Sequence, residues 1–303
     1  MKTLLQTRSP YWDTLKGLLI LLVILGHCGT ALSEGLLSVI YSFHMPLFVF
    51  ISGYFSKKQP VISKQNKRLA IIYLFFNTIY ILLDVTTEDF SLNRLLVPSF
   101  ALWYILSLIY WRCALQLIPD KWIERPVYLI IGSIVFGLIA GVIPVGNEMS
   151  FQRTFSFWPF FIAGFYLRKY DGIKMVRVKN KWFFGITLII LLLVVYHWVP
   201  PFYGNNSYNT IDDIWMRGLQ ILLASVICFC ILVIIPEKMG KITIIGQYTL
   251  ILYLLHPPLV KIMKVISTKI GYTPDLIIAL IITVITSILI FSVRKFKIFK
   301  YLT

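Results

Sequence analysis

The chain has 303 residues, of which 58% are hydrophobic and only 14% charged, with a mean hydropathy of +0.80. A soluble domain carries roughly 25% charged residues, so a soluble enzyme or binding module is excluded and the fold class is all-α integral membrane. The net charge of +16 would suggest nucleic acid for a soluble protein. Here it fits lysine and arginine gathered on the cytoplasmic loops of a multi-pass chain, with no nucleic-acid partner.

Ten apolar segments follow, at residues 13–33, 38–56, 69–86, 97–118, 127–144, 154–168, 182–199, 215–235, 244–266 and 276–293. A membrane span needs about 20 residues, so about ten transmembrane helices are expected, in a single polytopic domain over residues 1–303. Lys2, Arg8 and the small residues Gly29-Thr30-Ala31 give the first segment a signal-peptide look. The long apolar segments beyond it favour an uncleaved first span.

Loop charge sets the orientation. Residues 57–68 hold Lys57, Lys58, Lys64, Lys67 and Arg68, whereas 87–96 hold Glu88, Asp89 and only Arg94. Residues 168–181 hold Arg168, Lys169, Lys174, Arg177, Lys179 and Lys181, whereas 200–214 hold Asp212 and Asp213 and no basic residue. With Arg294, Lys295, Lys297 and Lys300 in the tail, the alternation places both termini in the cytoplasm. Lys261, Lys264 and Lys269 run against it; they either snorkel to the outer headgroups or mark a miscounted span. Residues 200–214, PPFYGNNSYNTIDDI, suit a sugar-contacting loop and an interfacial aromatic belt equally.

Ionisable groups within the apolar segments are functional-site candidates, because hydrocarbon tolerates them poorly. The first segment carries Asp13, Lys16 and His27. Lys16 and His27 are eleven residues apart, so on a helix they share a face at about 16 Å along the axis. Asp13 also reads as a helix N-cap and Lys16 as an interfacial cation; neither account covers His27, which lies between Gly26 and Gly29. An imidazole there suits general-base work. His44 opens the second segment before Met45-Pro46, and Ser52-Gly53 lies near its other end, where it permits tight packing. In the ninth segment, LYLLHPPL, Pro257 and Pro258 are expected to break the helix just after His256. His27, His44 and His256 then fall in one layer, while His197 beside Trp198 reads as interfacial. Arg153 precedes the sixth segment and Arg217 lies just inside the eighth; snorkelling would explain either. Cys28, Cys113, Cys228 and Cys230 form neither a metal-type pair nor a disulfide framework, and no metal is expected.

DTLKGLLILLVILGH followed by FHMPLFVFISGYF resembles the acyltransferase family 3 membrane proteins, nearest to the fucose-4-O-acetylase-like branch. ALWYILSLIY, FSFWPFFIAGFYLRKY and LILYLLHPPL support the resemblance, which covers essentially the whole chain. It implies a ten-helix membrane fold that moves an acyl group, usually acetyl, from cytoplasmic acyl-CoA to a hydroxyl of a carbohydrate or lipid-linked sugar in a bacterial plasma membrane. By position it makes His27 the essential membrane-embedded histidine. Lys16 stands where many relatives carry arginine. Arg68 falls in a stretch where relatives often carry two arginines spaced by two residues; Gln65 occupies the earlier position here, with Lys64 and Lys67 nearby.

Acetyl-CoA, as acyl donor, is anionic at its nucleotide end and needs cations: Lys16, Lys64, Lys67 and Arg68 are the candidates. Asp13, His256 and Arg153 stand beside His27 as candidate catalytic groups, with Arg153, His256 or Ser52 as the oxyanion stabiliser. His44, Ser52, Trp103 and Arg217 are the candidates for substrate contact. His27 would deprotonate the acceptor hydroxyl or relay the acyl group itself, and succinyl or another acyl group stays open as cargo. A flippase for a lipid-linked glycan is the competing class, without visible inverted repeats to support it. A scaffold in a polysaccharide-synthesis complex leaves the cost of five ionisable residues within spans unexplained. Ten helices could enclose a cavity in one chain; a homo-oligomer and a larger complex are both compatible with the sequence.

Overall fold

The computed structural model describes residues 9–61, 63–85, 96–145, 147–172, 178–269 and 275–293. Lys2, Arg8, Glu88, Asp89, Arg94, Lys174, Arg177, Arg294, Lys295, Lys297 and Lys300, with the side chains of Thr30 and Lys264, lie outside the described residues. Among the described residues the structure is helical, without strands. The helices are α1 (Pro10–His27), α2 (Glu34–Phe55), α3 (Lys64–Val85), α4 (Trp103–Leu117), α5 (Asp120–Ile123), α6 (Pro126–Ile139), α7 (Phe151–Lys169), α8 (Trp182–Trp198), α9 (Ile211–Ile234), α10 (Gly240–Gly246), α11 (Thr249–Lys269) and α12 (Leu276–Val293).

Each predicted apolar segment contains a helix among the described residues, but the helices differ in reach. Among the described residues three are long and apolar enough to cross a membrane, Glu34–Phe55, Lys64–Leu83 and Ile211–Ile234. The pair Gly240–Gly246 and Thr249–Met263 is apolar enough only when taken together, bent by 86° as a broken span or a re-entrant loop. Pro126–Ile139, Trp182–Trp198 and Leu276–Ser292 are apolar but shorter. α8 shows what surrounds them. Phe183, Ile186, Ile189, Ile190 and Leu193 are all exposed, and only Val195 is buried. A helix apolar on every side and buried on almost none fits a lipid environment.

The chain forms two compact units, each assembled from separate segments. Unit 1 comprises residues 1–40, 180–198 and 230–303; unit 2 comprises residues 41–179 and 199–229. In unit 1, α1 packs on α10, α11 and α12. The α1–α10 crossing is closed by two glycines: a Cβ on Gly17 would run into the Ile242 carbonyl, and one on Gly246 into the Asp13 carbonyl. Backbones approach this closely only where side chains are absent. Thr14 and Thr243 share a hydroxyl hydrogen bond of 2.8 Å across the crossing, and the Tyr11 hydroxyl donates to the Leu232 carbonyl at 2.6 Å. In unit 2, α4 packs on α3 and α7, and α6 on α7. Gly53 and Gly164 repeat the device there, facing the Phe161 and Phe50 carbonyls.

Four local expectations change. α1 begins at Pro10, not Asp13; proline suits the first helical position because that N–H has no acceptor to lose, and Asp13 sits in the first turn. His44 does not open α2: both it and Pro46 lie inside the helix. Arg153 lies within the first turn of α7 rather than ahead of it. Pro257 and Pro258 lie inside α11, and the break comes earlier, between Gly246 and Thr249. Proline removes one backbone donor each time, and membrane helices tolerate that loss where neighbours supply other partners.

Candidate active site

In unit 1 the chemistry follows α1. At its start the Asp13 carboxylate, almost fully buried, holds the Lys16 ammonium at 2.7 Å. Fourteen residues of helix separate Asp13 from His27, about 21 Å along the axis, so Asp13 serves Lys16 and not the imidazole. His27 is the last residue of α1. Gly29, at a φ of 35°, turns the chain immediately after it, a conformation that suits glycine.

His27 and His256 meet: their ring centres are 4.9 Å apart and their planes 71° apart. Each imidazole is fixed by its own helix. His27 Nδ1 lies 2.8 Å from the Val23 carbonyl, and His256 Nδ1 lies 3.0 Å from the Leu252 carbonyl. A carbonyl only accepts, so Nδ1 carries the proton in both neutral rings and Nε2 is left as the basic nitrogen. His27 is half-buried, hence within a substrate's reach. His256 is fully buried, and its Nε2 has no hydrogen-bond partner. A buried acceptor left unpaired costs about 1–3 kcal/mol. With Nδ1 on the Leu252 carbonyl, the neutral His256 ring offers an acceptor at Nε2. Tyr253 packs 6.0 Å from its ring.

Unit 2 holds the other candidates. His44 is buried, with its ring 4.7 Å from Tyr41, which in turn meets Tyr203 at 4.6 Å. His44 therefore belongs to a different unit from the His27–His256 pair. The Arg153 guanidinium lies 5.1 Å over the Trp103 ring and its Nε donates to the Tyr203 carbonyl at 3.3 Å. Met149 and Ser150 take positive φ angles just before α7, a strained entry for non-glycine residues. Ser107 braces it through hydroxyl contacts to Ser150 at 3.1 Å and Thr154 at 2.8 Å. Ser52 Oγ hydrogen-bonds the Tyr104 hydroxyl.

Arg217 does not snorkel. It is buried at 3% exposure, donates to Ser156 Oγ and lies 5.3 and 5.6 Å from the Phe202 and Tyr208 rings. Ser156 donates onward to the Gly204 carbonyl at 2.8 Å. Tyr208 ties the same loop to the Gly141 and Leu138 carbonyls, each at 2.8 Å. Burial pushes the Tyr208 phenol up, against the pull of Arg217, so it stays a donor. The first part of the loop after Val199 is thus seated, with Pro201, Phe202 and Gly204 buried, while Asn206, Asn209 and Thr210 stay exposed.

At the start of α3, Lys64, Lys67 and Arg68 are exposed. Lys58 is engaged by Asp120 at 2.7 Å and the Ile118 carbonyl at 2.9 Å. Gln65 accepts from Arg112 Nη2 at 2.7 Å, so a guanidinium from α4 stands beside the basic turn. Sequence reading missed Arg112, although the rule that flagged Arg217 applies to it equally: it is a charge inside the fourth apolar segment. It also missed Tyr41, Tyr203 and Ser156, which look like ordinary residues of apolar helices and a polar loop until packing joins them. Cys28, Cys113, Cys228 and Cys230 form no disulfide.

The acyltransferase family 3 model (Acyl_transf_3, an acyltransferase domain) matches residues 9–292. No curated protein and no solved structure matches. The chain belongs to acyltransferase family 3, and with its apolar helices it is a membrane acyltransferase.

Proposed function

We propose that the protein is an O-acetyltransferase of about ten spans in a bacterial plasma membrane, with both termini cytoplasmic. It moves acetyl from cytoplasmic acetyl-CoA to a hydroxyl of a cell-surface or exported polysaccharide or its lipid-linked precursor. The observation that carries this reading is His27: a half-buried imidazole at the end of α1, with Nδ1 held by the Val23 carbonyl, which makes Nε2 the basic nitrogen of the neutral ring. The acceptor O–H proton goes to Nε2, the oxygen bonds to the thioester carbonyl carbon, and the C–S bond breaks. His27 then returns the proton to the CoA thiolate. Trp103, Arg153, Tyr41 and Tyr203, which present rings and a guanidinium together in unit 2, are the groups suited to sugar stacking and hydrogen bonding. His44 and Ser52 belong to the same assignment. Arg217, already bound to Ser156 and two rings, supports the loop.

The donor is assigned to cations. Lys64, Lys67 and Arg68 are exposed, and Arg112 is held by Gln65 at 2.7 Å; Lys16 joins them through the family resemblance. A pre-oriented guanidinium suits phosphate better than a freely rotating ammonium. Arg112→Ala and Arg68→Ala are each expected to weaken acetyl-CoA binding by about tenfold, read by thermal shift of the purified protein. Binding of S-acetylpantetheine, which lacks the nucleotide, should be unchanged. Equal losses for both ligands would remove these residues from the nucleotide site. Feeding labelled acetyl-CoA or succinyl-CoA to membranes containing the protein, and following label into carbohydrate, tests the activity itself and identifies the acyl group. Incorporation from neither donor would overturn the proposal.

A further inference from the structure

We propose that Arg217 is an anion-binding residue, whose guanidinium takes an acidic group, carboxylate or phosphate, of the acceptor glycan. This role rests on the acyl-transfer reading and deepens it by giving the acceptor a charge. Three observations, all within unit 2, carry it. The guanidinium is buried, with the residue at 3% exposure. No carboxylate pairs with it among the described residues. Its donors outnumber the single hydrogen bond it makes, to Ser156 Oγ.

Arg217 lies in the second turn of α9, a helix long and apolar enough to cross a membrane. Its charge persists there, because a guanidinium keeps its proton in proteins. A buried charge is costly unless it is paired. Asp213, one turn earlier on the chain, is already committed: its carboxylate accepts from the Asn209 and Thr210 backbone N–H groups, each at 2.8 Å. What meets the cation instead is the Ser156 hydroxyl and the Phe202 and Tyr208 rings, at 5.3 and 5.6 Å. Ring faces attract a cation, yet none of these three groups brings a negative charge.

The unengaged N–H groups of Arg217 are not sealed off. Among the described residues, every orphaned side-chain atom closed to solvent lies on another residue, so the open edge of the guanidinium borders space that a small group can enter. A planar fork of donors matches a carboxylate or a phosphate through two parallel bonds. The place also fits the acceptor. Ser156 donates onward to the Gly204 carbonyl at 2.8 Å, and Gly204 follows Tyr203, one of the groups assigned to the sugar. An acidic sugar and the phosphate of a lipid-linked precursor offer the same chemistry to this fork, and binding either one makes and breaks no covalent bond.

The test measures binding without any donor, by thermal shift of the full-length protein in a non-ionic detergent. Glucuronic acid is compared with glucose, and farnesyl phosphate with farnesol. In wild type the acidic member of at least one pair is expected to half-saturate at a concentration about tenfold lower than its neutral partner, and the pair that shows the preference identifies the acid. Arg217→Met, neutral and unbranched, should bring that ratio to about one, whereas Arg217→Lys, which keeps the charge without the fork, should retain part of it. The ratio is read within each variant, so a lower melting point from a loosened loop does not enter it. Arg217→Gln is the neutral member if the methionine variant does not fold. No preference for either acid in wild type, or a preference that survives in the neutral variant, overturns the inference and leaves the acyl-transfer reading intact. An Arg217-dependent preference in a protein that transfers no label from acyl-CoA overturns that reading and leaves Arg217 as an anion site.

Discussion

His27→Ala is expected to lower acyl transfer by about 10²- to 10⁴-fold, the range a positioned general base contributes, while leaving acetyl-CoA binding unchanged. The side chain bonds its own helix, from Nδ1 to the Val23 carbonyl one turn back, packs on the His256 ring and sits at the last residue of α1. Removing it leaves the α1–α10 crossing untouched, because Gly17, Gly246, Thr14 and Thr243 make that crossing three turns away. The variant should therefore melt within a few degrees of wild type, and the loss should appear in kcat. Its thermal shift with acetyl-CoA should match the parent, since the cations assigned to the donor are intact. Transfer within tenfold of wild type would take His27 out of the mechanism. A covalent acyl-histidine would instead leave label on the protein after a donor-only incubation; the general-base reading expects none.

Gly246→Leu is expected to be the most damaging substitution for the fold of unit 1, at about 3 kcal/mol or more. Ordinary overpacking is relieved by rotating a side chain. Here the atom met by the new Cβ is the Asp13 backbone carbonyl, which moves only if α1 moves. The Asp13–Lys16 ion pair sits on that turn, so displacement of α1 should also weaken donor binding. Gly185→Leu on α8 is the control, because nothing lies within 4 Å of its Cβ position; it should change the melting midpoint by no more than a degree or two. Detergent-denaturation curves of the purified variants would read both. Equal stability of the two would mean that the α1–α10 approach is not the constraint proposed.

The helical class was legible without any structure. Fifty-eight per cent hydrophobic residues in ten separated runs leave the backbone few options in lipid, since each segment must satisfy its own hydrogen bonds. The same logic exposed His27, Lys16, Arg153, Arg217 and His256, because a charge or imidazole in hydrocarbon is conspicuous. Motif order gave the family, and the match over residues 9–292 agrees with it.

Helix ends and partners were not legible. Pro257-Pro258 looked like a break and is not one, while the bend of 86° before Thr249 has only Gly246 as its local signal. A proline's effect depends on whether neighbours can take up the freed carbonyls, and neighbours are a tertiary property. The glycines divide in the same way. Gly17 and Gly185 look alike in sequence, yet one faces a backbone and the other open space.

The sequence by itself determined that this chain is helical, belongs in a membrane and carries ionisable groups where they are costly, because burial and hydrogen-bond satisfaction act on each segment alone. Only the tertiary structure decided that His256 faces His27 with a bare Nε2, that Arg112 reaches Gln65 and that Arg217 holds a loop. Those contacts join residues 47 to 229 positions apart, and periodicity along a chain holds no information about which two faces meet.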